Sequence, residues 1–99
     1  MQYTDTAIDF HYEWKHAGRN VLVCHHGNAK DGCILDIFID SCFEHNLLHD
    51  ASKADYTRWE PLWNSGGDLD ENEEFVAWVN RLVDARMPAH EEWEREHTA

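Results

Sequence analysis

The sequence predicts an all-α protein, a small single-domain helical bundle over residues 1–99, and three observations carry that expectation. Between Ala29 and Leu48 the apolar residues Cys33, Ile34, Ile37, Phe38, Cys42, Phe43 and Leu47 recur at three-four spacing, the mark of one buried helical stripe. Phe75, Val76, Trp78, Val79, Leu82 and Val83 form a second such stripe. No segments read as paired strands, and no linker, repeat or low-complexity tract divides the chain.

The elements follow in order. Thr4 or Thr6 can cap a first segment through Ile8, Phe10, Tyr12 and Trp14, whose alternation fits a short strand as well as a helix. Gly18 breaks it, and VLVCHH begins again at Val21. The helix over 29–48 comes next and delivers the chain to His49 and Asp50 at its C-terminal end. Asp50 or Ser52 can cap the following segment, DYTRWEPLW, a helix shortened or kinked by Pro61. NSGGDLDEN reads as a loop. Asp70 with Glu73 resembles a capping box opening the helix of the second stripe. Pro88 suits the first turn of a last helix, PAHEEWEREH.

With 42% apolar residues, including five Trp, four Phe and three Tyr, the chain can bury one modest core. Twenty Asp and Glu against eight Lys and Arg give a formal charge of -12. That balance excludes the nucleic-acid backbone and anionic membranes as major partners, and leaves open an acidic decoy for a basic protein groove. Cys24, Cys33 and Cys42 recur every nine residues without a CxxC pair, which fits reduced thiols. No stretch reads as a signal peptide or a membrane span, so the expected location is the cytoplasm.

One motif carries chemistry. LLHDASK, residues 47–53, resembles the signature of the HD superfamily of metal-dependent phosphohydrolases, in which a helix ends in an adjacent His-Asp pair. Ser52 stands where the commonest form has Gly. HHGNA, residues 25–29, is similar to the H-x-x-N-V start that precedes the HD-S-K motif in a family of small, mostly phage-encoded domains (DUF5662). The resemblance covers roughly residues 21–63. Members of that family usually continue to a histidine-rich C-terminal segment; here MPAHEEW, with His90, Glu91 and Glu92, stands in its place.

The resemblance implies an HD-like domain binding a divalent metal ion (Mn, Fe, Ni or Zn) through His25 or His26, His49, Asp50 and either His90 or Asp84. A metal that activates water wants neutral imidazoles and a carboxylate with one open position, and Lys53 would balance a phosphate. Asp50 and Lys53 are then the catalytic candidates, and the substrate a phosphoester such as a nucleotide. Without the resemblance, His49-Asp50 equally reads as a helix end, with the imidazolium meeting the helix dipole. His25-His26, His11, His16 and His45 read as structural or surface residues, and the Trp and Phe stripes as core.

Two further readings stand beside the hydrolase. In one, the helical scaffold has lost its full ligand set, and the strong negative charge blocks a basic surface on a host protein such as a defence nuclease. In the other, the chain is a nucleotide sponge, with Lys53 and Arg58 on phosphate. A homodimer fits either, since five tryptophans are many for so small a surface.

Overall fold

The computed structural model describes residues 10–28, 32–65 and 69–97. Thr4, Thr6, Ile8 and Ala29 lie outside the described residues, as do the side chains of Phe10, His26, Cys33, Tyr56 and Trp63. The architecture is mixed α/β, which corrects the all-α expectation: the protein is not a helical bundle. Four antiparallel strands lie side by side in chain order: β1 (Phe10–His16), β2 (Arg19–Asn28), β3 (Gly32–Ile39) and β4 (His49–Ala51). Helix α1 (Lys53–Ser65), a 3-10 turn (Leu69–Glu71) and the long helix α2 (Glu73–His97) follow.

The alternation in β1 resolves as a strand. Tyr12 and Trp14 turn toward the helices, and His11, Glu13 and Lys15 toward solvent. Ala17 and Gly18 close the hairpin to β2 with positive φ of 52° and 79°, the pair of left-handed residues that matches the strand twist. A second reversal, at Asp40 and Ser41, also has both φ positive, at 53° and 61°, and closes with the Cys42 N–H donating to the Ile39 carbonyl at 3.0 Å.

The helix expected over 29–48 is β3 and the loop after it. Its three-four spacing arose by mixing two faces of a strand. Leu35, Ile37 and Ile39 point inward and are fully buried, whereas Ile34 and Phe38 belong to the other face. As a strand, the segment keeps its three inward residues on one face, which no helix could do with period-two spacing, and β-branched Ile and Phe suit the pleat.

One face of the sheet is covered. Tyr12, Val21, Val23, Leu35, Ile37 and Ile39 pack with Leu47, Trp59 of α1, Leu69, and Phe75, Val79 and Val83 of α2. Phe75 is the hub, meeting Tyr12, Trp14 and Trp59 edge-on at centroid distances of 5.8, 6.3 and 5.3 Å. Trp14 Nε1 donates to Asn80 Oδ1 at 2.9 Å, so its one polar atom is satisfied where the ring is half-buried.

The helix ends differ in detail from expectation. Ser52 caps α1 in a reciprocal box: the Asp55 N–H donates to Ser52 Oγ, and the Ser52 N–H to Asp55 Oδ2, both at 3.1 Å. Asn72, not Asp70, caps α2, its Oδ1 accepting from the Phe75 N–H at 2.9 Å. Pro88 does not open a separate helix. It lies exposed inside the 25-residue α2. Among the described residues no helix is long and apolar enough to cross a membrane.

Candidate functional site

Strand register decides where the expected ligands go. His25 on β2 lies opposite Leu35 on β3, and Leu35 opposite His49 on β4, so the two histidines share the inner face. They are two strands apart, roughly 10 Å at ordinary strand spacing, with a buried leucine between them. His25 is buried. His26 sits on β2 opposite Ile34, and its side chain lies outside the described residues.

The His-Asp pair itself is divided by the pleat. The expected helix end could aim both side chains at one ion, but His49 and Asp50 are consecutive residues of β4 and leave on opposite faces. His49 is half-buried against Trp78, edge-on at 5.5 Å, while Asp50 is exposed. The site's expected anchor is thus a property of a helix that the chain does not form there.

His49 is instead held at both ring nitrogens. Nε2 lies 3.1 Å from Asp55 Oδ2, and Nδ1 lies 3.3 Å from Arg86 Nη2. A neutral ring with the proton on Nε2 satisfies both contacts, donating to the carboxylate and accepting from the guanidinium. Burial alone would raise the Asp55 carboxyl, yet hydrogen bonds from His49 and Ser52 hold it below the ordinary aspartate range.

The remaining candidates sit elsewhere. Lys53 is the exposed first residue of α1. Asp84 is exposed on α2 and accepts from His16 Nε2 at 2.8 Å. His90, lower on α2, is fully buried. Its Nδ1 lies 2.7 Å from His45 Nδ1, and its Nε2 lies 3.4 Å from the Glu94 carboxylate. Trp93 stacks on His45 at 5.1 Å and on His97 at 4.2 Å. Burial pushes the His90 pKa down; Glu94 opposes the shift, and His45 and Arg19 add to it. Glu94 is itself bonded to Arg19, whose Nε also donates to Asp40 Oδ2 at 2.8 Å.

Sequence reasoning missed Asp55, Arg86 and Trp78 around His49, and passed over His45, Trp93 and Glu94 around His90. The box Ser52-x-x-Asp55 was the available signal for the first group, because it brings Asp55 back beside the residues preceding α1. A shallow, open pocket lies between the two histidine clusters, lined by His45, Asn46, Leu47, Leu48, Arg86 and Ala89. Among the described residues no three His, Cys, Asp or Glu side chains gather where an ion could bind them together. Cys24 and Cys42 are free thiols.

No family model matches the chain, and no curated protein or solved structure matches it either. The likeness of HHGNA and LLHDASK to the two families therefore rests on the motifs alone.

Proposed function

We propose that this is a non-catalytic acidic binding protein that masks a basic surface on a protein partner, of the kind a nucleic-acid-cutting enzyme presents. One observation carries the reading: the carboxylates that produce the charge of -12 stand largely in solvent. Glu13, Glu44 and Asp50 on the sheet side, and Asp70, Glu71, Glu73, Glu74, Asp84, Glu91, Glu92 and Glu96 on the helical side, are all exposed. Such a field steers a cationic partner and raises its association rate. The alternative, a metal-dependent phosphohydrolase using Asp50 and Lys53, is supported by the joint HHGNA and LLHDASK resemblance.

The test is calorimetric titration into a basic nuclease of pI above about 9, at about 50 and 300 mM salt, with nuclease activity followed in parallel. Salt-sensitive binding with inhibition supports the proposal. Absence of binding, together with stoichiometric metal in the wild type that is lost in Asp50→Ala, would replace it with the hydrolase.

A further inference from the structure

The outer face of the sheet is the surface that the helices leave uncovered, and its composition is unusual for a face left in water. Leu22, Cys24, Ile34 and Phe38 lie on it, half-buried, along the two central strands. Leu22 stands directly opposite Phe38. Phe43, in the loop after β3 and 62% exposed, leans its ring edge-on against Phe38 at 5.1 Å.

An antiparallel sheet with one solvated face normally alternates apolar and polar residues, as β1 does here. In β2 and β3 the alternation is lost: VLVC and ILDIFI are apolar at both parities apart from Asp36. Near-continuous apolar runs are the pattern of strands covered on both sides. Every described helix packs on the inner face, so the chain carries the sequence of a doubly covered sheet with one cover described.

The charges on this face define what the second cover must be. At the margins Glu13 lies beside Leu22, Asp50 beside Ile34, and Glu44 follows Phe43, while Asp36 stands within the patch, beside Cys24 and between Ile34 and Phe38 on β3. Lys15 is the single cation on this face among the described strand residues. Apolar side chains set among carboxylates fit a protein interface, and a charge of this sign selects its complement. A second copy of this chain would bring carboxylates against carboxylates.

We infer that the outer face of β2 and β3, with Phe43, is the docking surface for a protein segment that carries an apolar stripe flanked by Lys and Arg. The inference rests on the binding function proposed above and adds the place and the chemistry. Phe38 and Phe43 supply the anchoring contacts, and Glu13, Asp36, Glu44 and Asp50 set the preference for a basic partner.

The experiment uses two synthetic peptides of identical Leu and Lys composition, one with Leu on a single helical face and one with the same residues scrambled. Binding is followed by fluorescence anisotropy to the full chain, to Phe43→Ser, and to Glu91→Lys/Glu92→Lys on the far end of α2. Phe43 stands mostly in solvent, so its removal leaves the core intact, and a thermal melt by circular dichroism checks this. The expected result is that the striped peptide binds about tenfold tighter than the scrambled one, that Phe43→Ser abolishes the difference, and that the α2 variant changes it less than about threefold. If both peptides bind equally and the α2 variant weakens both, the acidic binding function survives and the docking face is wrong. If neither binds at low salt, both proposals fail. A wild-type dimer that Phe43→Ser dissociates in sedimentation would assign the face to a second copy and overturn the inference.

Discussion

The Nδ1 atoms of His45 and His90 lie 2.7 Å apart, so one ring must donate and the other accept. His90 is fully buried, where an added charge is costly. Burial holds the His90 pKa below the ordinary histidine value. The unfolded chain therefore takes up this proton at higher pH than the folded protein, and stability must fall with acid. The contribution is fully present above about pH 6.5 and is lost as the pH drops through the folded value.

Asp40, Asp55 and Glu94 act in the same direction in a lower window. The Asn20 N–H and Arg19 hold Asp40 down, Arg19 holds Glu94 down, and His49 and Ser52 overcome burial at Asp55. Their stabilisation is present above about pH 4 and lost below it. Urea midpoints measured between about pH 3 and pH 8 are expected to fall in two steps. In His90→Leu the upper step disappears and the lower remains; a variant that keeps both steps would acquit His90.

The two aspartates near His49 are expected to behave oppositely. Asp50→Ala removes an exposed side chain and should shift stability by no more than about 0.5 kcal/mol. Asp55→Ala removes the acceptor for the Ser52 N–H and for His49, and should cost about 1–2 kcal/mol. Addition of a chelator is expected to leave both melting temperatures unchanged. The reverse ranking, or a chelator-sensitive wild type, would show that Asp50 holds an ion.

Phe75→Ala is expected to be among the most damaging core substitutions, at about 3–5 kcal/mol, because four aromatic rings converge on that one side chain. Tryptophan emission should shift to the red at the same time, since Trp14, Trp59 and Trp78 all line the cavity left behind. Destabilisation without an emission change would place the rings elsewhere.

Ala17→Asn should stabilise the protein by about 0.5–1 kcal/mol. Ala17 holds a φ of 52°, which a Cβ resists, and Asn before Gly18 is the preferred pair for this hairpin. The check is a chemical denaturation curve; a lower midpoint would mean that the turn relaxes in solution.

What the sequence made legible follows from how each residue is buried. Helix α2 is readable because Phe75, Val79 and Val83, flanked by Trp78 and Leu82, face one core while Glu73, Glu74, Ala77, Arg81 and Asp84 face water. Its length is not, because the apolar stripe stops at Val83 and Pro88 then reads as the start of a new helix, although α2 runs through it. Strand β3 is hidden for the opposite reason: with apolar residues on both faces, period two is masked and helical spacing appears by superposition. The reading of His49 and Asp50 as a helix-end pair depends on that same helix, whereas in β4 the two side chains leave on opposite faces. Arg86 and His45 were invisible as partners because their contacts span 37 and 45 residues and follow from the register of a sheet that was not foreseen.

The order of the strands has a consequence during synthesis. Each strand pairs with the one made just before it, so the whole sheet can form by local closure of successive turns, without waiting for a distant segment. Its cover, α2, is the last described element to leave the ribosome. For the interval before Glu73 emerges, Val21, Val23, Leu35, Ile37 and Ile39 lack the cover of Phe75, Val79 and Val83, while Leu22, Ile34 and Phe38 on the other face have no described helix over them at any stage. A nascent sheet that is greasy on both sides is a natural client for a chaperone, and premature release of the chain at that stage leads toward aggregation.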